Sequence, residues 1–233
     1  MIDLRAILTG EITVTVAVTL DTRRELDGLK PFFEKERIRA KQHPMAVTSG
    51  LNRREADARR GQWNERKKEM RRRGTLIDSL NALVTAGLCQ ELDQRGWNRP
   101  WDPFPHQARA QGRSPGSPSG VWHEPVTIRL PTDLVNTVYA ACWHTSKDAL
   151  AQLDEWKQRH PKARPNHTTR QNCTEADLAH YRQICSTITH RGNIWRAAVL
   201  RGIHTAHRLQ TTTPDAQAQT HTTLDTICPF DAD

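Results

Sequence analysis

The stretch EPVTIRLPTDL, residues 124–134, decides the fold that this sequence predicts. Apolar and polar residues alternate along it, which is the pattern of a half-buried β-strand, and a helix start follows with Thr132 or Asp133 as the capping residue. The apolar face consists of Val126, Ile128 and Leu130. A strand this short is not stable alone, so we expect it to pair with another strand, in the same chain or in a second copy.

The first half of the chain contains a second strand of the same kind. Residues 13–20, TVTVAVTL, alternate in the same way, and a helix start follows with Asp21 or Thr22 as the cap. The apolar face here consists of Val14, Val16, Val18 and Leu20. The two halves of the chain therefore begin alike, and together they supply the strands of a two-stranded ribbon.

The two halves also end alike. Residues 75–88 (TLIDSLNALVTAGL) and 190–203 (HRGNIWRAAVLRGI) have helical patterns that finish in Val-x-x-Gly followed by Leu or Ile. We expect Gly87 and Gly202 to end these helices, because glycine is common just after a helix. Extra helical sequence precedes each of them: residues 51–73 in the first half, and a helical hairpin of residues 147–165 and 174–190 in the second.

This order divides the chain into four parts. They are a first unit (1–95), a linker rich in proline and glycine (96–124), a second unit (125–208), and a polar, threonine-rich tail (209–233) that we expect to be disordered. Large aromatic side chains in a linker need a surface to cover or a partner to bind, and docking onto the same protein is the simpler of the two. Trp97, Trp101 and Phe104 are therefore predicted to dock onto the units.

The charge balance favours an anionic partner. The 233 residues include 34 Lys and Arg against 26 Asp and Glu, and the sequence pI is near 9.6. Residues 51–73 alone hold ten basic and four acidic side chains, which is a net +6 of the chain's +8. Such a segment suits contact with a nucleic-acid backbone, and a solvated helix with Glu and Arg paired one turn apart is the alternative. The candidate phosphate contacts are Arg66, Lys67, Lys68, Arg71, Arg72 and Arg73.

Several classes of protein find no support in the sequence. No apolar run approaches the roughly eighteen residues of a membrane helix, and the N-terminus lacks the order of a signal peptide, so we expect a cytoplasmic, nucleoid-associated protein. The five cysteines include no Cys-x-x-Cys pair, and no closed zinc pattern, phosphate loop or hydrolase motif occurs. We therefore expect no metal, no cofactor and no enzymatic activity.

Two stretches carry a resemblance to a known family. VTIRLPTDLVNTVYAA (126–141) resembles the strand and first helix of ribbon-helix-helix (Arc/MetJ-type) DNA-binding proteins, and RGNIWRAAVLRGI (191–203) resembles their second helix. In that family two units pair their strands into an antiparallel ribbon that enters the DNA major groove. The resemblance implies a mainly α fold with a short two-stranded antiparallel β-ribbon, built from tandem units in one chain. The insertions depart from the family pattern, as does Thr19-Leu20-Asp21 in place of Arg-Leu-Pro.

The resemblance also implies which residues contact DNA. The groove-facing positions are Thr15, Ala17 and Thr19 in the first strand and Pro125, Thr127 and Arg129 in the second. Arg129 is the most informative, because arginine can donate two hydrogen bonds to guanine. The starts of the second helices would meet backbone phosphates. These starts contain Gly74 and Thr75 in the first half, and Arg191, Gly192 and Asn193 in the second.

The expected function is sequence-specific binding of double-stranded DNA through the major groove. Its setting would be transcriptional repression or an accessory role in replication, partition or transfer, with self-association along the DNA. The alternative is a protein-interaction module of the antitoxin or relaxosome-accessory type. Such a module would hold a protein partner through its inserted helices or C-terminal tail, and its basic helix would bind nucleic acid non-specifically.

Overall fold

The structure, a computed structural model, describes residues 10–105, 122–161 and 174–212. Two strands and seven α-helices occur in this part of the chain. They are β1 (Glu11–Val18), α1 (Leu20–Gly28), α2 (Lys30–Gln42), α3 (Arg53–Arg72), α4 (Leu80–Gln94), β2 (Glu124–Pro131), α5 (Thr132–Arg159), α6 (Glu175–Thr187) and α7 (Arg191–Thr212). The protein is mainly helical with one two-stranded sheet, as the sequence predicts.

Strands β1 and β2 form an antiparallel ribbon within one chain. Thr15 lies opposite Thr127 at the middle of the ribbon, and Thr13 lies opposite Arg129. One face is buried under the helices, and it consists of Val14, Val16, Val18, Val126, Ile128 and Leu130. The predicted pairing is confirmed, and of the two arrangements that the pattern allowed, the structure has the one inside a single chain.

The strand boundaries and helix caps differ from the prediction. Strand β1 ends at Val18 because the Thr19 hydroxyl accepts a hydrogen bond from the Thr22 N–H (3.1 Å), which starts α1 at Leu20. Leu20 is therefore 51% exposed and does not belong to the apolar face. The predicted caps Asp21 and Thr22 are wrong, since both lie inside the helix.

The start of α5 also lacks the predicted cap. Thr132 is the first residue of the helix, directly after Pro131, and no side chain caps this end. Neither Thr132 nor Asp133 is the N-cap. The fixed backbone of proline suits the turn from strand to helix without a capping side chain.

The two glycines predicted to end helices lie instead in the middle of α4 and α7, where these helices cross. A Cβ atom on Gly87 would overlap the backbone of Ala198 and lie 2.6 Å from Gly202 N. A Cβ atom on Gly202 would overlap the Leu83 carbonyl oxygen. Gly87 thus meets Ala198, four residues before Gly202, and Gly202 meets Leu83, four residues before Gly87. The repeated Val-x-x-Gly motif therefore marks a close helix crossing with nearly twofold symmetry.

One hydrophobic core joins the two halves of the chain. The second helix of each half packs on the strand of the other half, so α4 contacts β2 and α7 contacts β1. Fully buried residues of this core include Leu83, Leu88, Leu130, Ile194 and Val199. The ribbon is thereby held on a platform to which both halves contribute.

The insertions form as predicted. The basic segment is the 20-residue helix α3, and the C-terminal half of α5 packs on α6 as a hairpin with its own small core. The seam of the hairpin contains Leu153, Trp156, Tyr181, Ile184 and Ile188. Helix α7 extends to Thr212, beyond the predicted start of the tail, and the rest of the tail lies outside the described residues.

The first part of the linker docks onto the helices, as its aromatic residues predict. Trp97 is 9% exposed in the main core, and its ring contacts Trp101 edge-on at 6.4 Å. Trp101 stacks on His144 (5.8 Å), and Phe104 stacks on Tyr139 (6.3 Å). The linker beyond residue 105 falls outside the described residues until residue 122.

Candidate nucleic-acid interface

The outer face of the ribbon is exposed to solvent along its whole length. The pleat places every second residue on this face, and its members are Glu11, Thr13, Thr15, Ala17, Pro125, Thr127 and Arg129. Five of the six predicted groove-facing residues lie here: Thr15, Ala17, Pro125, Thr127 and Arg129. The face holds one acidic and one basic side chain, so its formal net charge is zero.

Thr19 is the exception among the predicted groove-facing residues. It lies beyond the end of β1, and its hydroxyl contacts Thr22 Oγ1 (2.9 Å) while it caps α1. The alternation of the sequence continues through Thr19, whereas the strand does not. Thr19 therefore does not lie on the groove-facing side of the ribbon where the sequence predicts it, because its hydroxyl group starts a helix.

Arg129 is tied to the helical platform through its backbone. Its main-chain N–H donates to Asn81 Oδ1 (3.0 Å), and Asn81 lies in the first turn of α4. The Arg129 side chain is exposed and has no ion pair in the described part of the chain. The guanidinium group of Arg129 is therefore open to an acceptor outside the protein, on a backbone that the helical platform holds in place.

Basic side chains stand at both ends of the ribbon. At one end Arg23 of α1 lies with its Nη1 atom 3.5 Å from the Pro125 carbonyl oxygen. At the other end Arg72 of α3 pairs with Asp133 of α5 (2.7 Å). Arg23 is not among the predicted contacts, and the signal for it in the sequence is the double arginine of residues 23 and 24, shortly after the first strand.

Most of the predicted phosphate contacts on α3 are engaged in ion pairs. Lys68 pairs with Glu65 (2.7 Å) and Arg73 with Glu69 (2.6 Å), each about one turn away. Arg66 and Lys67 are in no ion pair among the described residues. The exposed pairs contribute little stability, so these cations remain available to exchange a carboxylate for a phosphate.

Arg71 is different from its neighbours, because it is part of the protein's internal structure. Its guanidinium group donates twice to the Asp78 carboxylate, through Nε (3.0 Å) and Nη2 (2.7 Å). The Asp78 side chain is only 9% exposed. This two-bond pair with a buried carboxylate makes Arg71 a support of the α3–α4 connection, and only its remaining N–H groups are left for a phosphate.

Gly74 and Thr75 are not at a helix N-terminus, so their predicted role is wrong. Helix α4 starts at Leu80 with Ser79 as its cap. The Gly74 N–H donates to the Arg71 carbonyl oxygen (3.1 Å) and the Thr75 N–H to that of Met70 (2.9 Å). Both N–H groups close the C-terminal end of α3, where Gly74 has the positive φ of 68° typical of that position.

Arg191, Gly192 and Asn193 lie at a helix N-terminus, as predicted, since α7 starts at Arg191. The Arg191 guanidinium group lies 4.5 Å from the centre of the Tyr139 ring, and exposed Asn193 accepts a hydrogen bond from Arg196 (2.6 Å). Burial, followed by the charge of Arg196, lowers the pKa of the preceding His190. The positive charge at this helix start therefore comes from the two arginines.

Three further observations concern metal binding, thiol chemistry and membrane spans. No group of three or more His, Cys, Asp and Glu side chains that could bind a metal occurs within residues 10–105, 122–161 and 174–212. Burial raises the pKa of Cys89 to about 11 and that of Cys142 to about 12, so both thiols are protonated and unreactive near neutral pH. Among the helices described, none has the length and apolar character needed to cross a membrane.

The chain matches no protein-family model, no curated protein and no solved structure. The geometry of the residues is thus the basis for the function proposed below.

Proposed function

We propose that this protein binds double-stranded DNA sequence-specifically by inserting the β1–β2 ribbon into the major groove. The observation that carries the proposal is the ribbon itself, with one face packed on the helices and the other exposed. A two-stranded ribbon fits the width of the major groove, where each base pair presents a distinct set of donors and acceptors. This use of the ribbon follows the ribbon-helix-helix resemblance of the sequence.

The two strands would read different bases. Strand β2 offers Arg129, which can donate two hydrogen bonds to guanine O6 and N7. The central pair of Thr15 and Thr127 offers hydroxyl groups and methyl groups, which suit thymine. Strand β1 presents no basic residue on this face. The recognised site is therefore expected to be asymmetric.

Phosphate contacts would come from basic residues beside the ribbon. Arg72 and Arg73 end α3 next to the Arg129 end of the ribbon, and Arg23 lies next to the other end. Gly192 at the start of α7 can add a main-chain N–H group, which favours an anion at a helix N-terminus, whereas the Asn193 N–H already donates to the His190 carbonyl oxygen (3.0 Å). Contacts of this kind position the ribbon without reading sequence.

The biological setting of this activity would be repression of transcription or an accessory role at a replication, partition or transfer site. Both settings use a protein that occupies a defined DNA site in the cytoplasm. Self-association along the DNA would extend the occupied region.

The deciding experiment is selection from a pool of random duplex DNA at two salt concentrations, followed by sequencing of the retained duplexes. The proposal expects one enriched motif for the natural protein, and loss of preference at one position of that motif for Arg129→Ala. The expected cost on the preferred site is about 1–3 kcal/mol. Arg24→Ala, an exposed arginine on α1, is the control that should leave the motif unchanged.

A second candidate function is favoured by the distribution of charge. The outer ribbon face has no net charge, whereas residues 51–73 have a net charge of +6. A protein-interaction module with a basic helix would retain all duplexes alike, without enrichment, and would release them at high salt. That outcome would remove the ribbon from the interface and direct attention to protein partners of the insertions.

A further inference from the structure

A pocket of about 370 Å³ lies between α2, α3 and the segment that leads into α4. We call it the insertion pocket, because its walls come from the extra helices of the first half and not from the ribbon. Four basic side chains line it, and they are Arg37, Lys41, Arg60 and Lys67. Its volume is in the range of sites that hold a small molecule.

Two of these cations are not neutralised by the protein. Arg37 pairs with Glu34 (2.6 Å) and Arg60 with Asp57 (2.5 Å). Lys41 and Lys67, by contrast, are in no ion pair among the residues that the structure describes. An anion bound in this pocket would give both ammonium groups a partner of opposite charge.

The wall behind these lysines is preorganised. Trp63 is 7% exposed and stacks on His43 at 4.4 Å, with the two rings nearly parallel. Lys67 also contacts the Trp63 ring, and its Nζ atom lies 5.9 Å from the ring centre. The imidazole is fixed in turn, since His43 Nδ1 accepts a hydrogen bond from the Met45 N–H (3.2 Å). A ligand would therefore meet a rigid aromatic wall and not a mobile one.

The acidic residue of the lining does not oppose an anion. Asp78 is held by two hydrogen bonds from Arg71, so its charge is compensated inside the protein. Asn64 of the same lining offers amide groups, and Ala40 and Ala46 add apolar surface. The pocket thus combines a cationic rim with room for an uncharged body, which a bare inorganic ion would not fill.

We propose that the insertion pocket binds a small organic phosphate, with Lys41 and Lys67 holding the phosphate group. Lysine is a common ligand of phosphate as a compact charge, and the arginines at the rim can add hydrogen bonds. The polar and apolar parts of the lining would hold the sugar or nucleoside. This site lies away from the base-reading face of the ribbon and does not depend on the function proposed above, although Lys67 is also one of the predicted DNA phosphate contacts on α3.

The test is isothermal titration calorimetry of the full-length protein with adenosine 5′-monophosphate, ribose 5-phosphate and adenosine. The expected result is binding of at least one of the two phosphates and none of adenosine. The double variant Lys41→Gln/Lys67→Gln should weaken that binding about tenfold or more, because it removes two charge-assisted contacts. The control Lys147→Gln/Lys157→Gln removes the same charge from exposed positions on α5 and should change the affinity less than twofold, about the scatter of the method.

Two outcomes would overturn the proposal. One is that neither phosphate binds the natural protein at millimolar concentration. The other is that both double variants weaken binding equally, which would mean general charge attraction. Lysine acetylation in the presence of a DNA duplex tests whether the phosphate comes from DNA instead. If DNA protects Lys41 and Lys67 while neither small phosphate binds, the proposal is wrong and the pocket contacts the DNA backbone. Circular dichroism of each variant establishes that it is folded.

Discussion

The main-chain N–H of Arg129 in β2 donates to the side-chain oxygen of Asn81 in α4 at 3.0 Å. This bond joins the exposed end of the ribbon to the first turn of the helix that crosses α7. It fixes the backbone at Arg129 and leaves the side chain free, so the helical platform sets the point on the ribbon from which the guanidinium group extends.

We expect Asn81→Ala to lower the free energy of unfolding by about 0.5–1.5 kcal/mol, since it removes one hydrogen bond to a main-chain group. Amide exchange at Arg129 should become faster in the same variant. Asn81→Asp keeps the accepting oxygen and is the matched control, which should protect the Arg129 amide as the natural residue does. Unchanged exchange in Asn81→Ala would mean that the bond does not anchor the ribbon.

The double variant Arg72→Gln/Arg73→Gln should weaken binding to all duplexes alike. Each phosphate contact contributes about 0.9 to the slope of log affinity against log salt concentration, so the slope should fall by about 2. Binding measured at several salt concentrations gives this slope directly. Lys147→Gln/Lys157→Gln removes the same charge from α5 and should preserve it, and a slope unchanged in both variants would place α3 outside the interface.

Gly87→Ala should destabilise the protein by about 3 kcal/mol or more, because a methyl group at this position meets the backbone of α7 and the two helices must move apart. Gly61 lies within α3 with open space around it, so Gly61→Ala should stabilise by about 0.5–1 kcal/mol through helix propensity. Denaturant unfolding of the two variants compares the same chemical change at both sites. Equal effects would contradict the close crossing.

Glu91→Gln should destabilise the protein at neutral pH. Burial raises the pKa of the Glu91 carboxyl group, but hydrogen bonds from Arg201 (2.5 Å) and Arg95 (2.6 Å) outweigh burial and hold the pKa below its usual range. Both arginines are more than a third exposed, so loss of the carboxylate charge should cost less than in a fully buried pair, about 1–3 kcal/mol.

The pH dependence of this effect has a definite sign. A carboxyl group with a lowered pKa in the folded protein stabilises it above the ordinary pKa of about 4, and the contribution is lost as the pH falls through the folded value. The difference in unfolding free energy between the natural protein and Glu91→Gln should therefore shrink below about pH 4. A difference that stays constant from neutral to acidic pH would mean that ionisation of Glu91 does not support the α4–α7 contact.

The ribbon could be predicted because a strand with one buried face has a period of two, and both strands show it. In the first half of the chain, the start of α4 could not be predicted from the sequence. Leu76 and Ile77 continue the helical pattern, yet they are fully buried in the extended connection before Ser79. Apolar periodicity reports burial, and it does not distinguish a helix from a short buried connection beside one.

The roles of Gly87 and Gly202 could not be predicted for a similar reason. A glycine that ends a helix and one that allows two helices to touch have the same place in a one-dimensional pattern. The partner of each glycine is more than a hundred residues away in the chain. The same limit applies to Arg71, whose buried partner Asp78 lies beyond the helix in a segment of irregular structure.

Because β1 and β2 belong to one polypeptide, the ribbon assembles in a first-order step. Dilution dissociates a ribbon made of two chains, but it does not separate these two strands. In a homodimer every substitution is made twice, once on each side of the symmetry axis. Here a substitution at Arg129 changes one end of the exposed face and a substitution at Ala17 changes the other, so the two ends can be altered independently of each other.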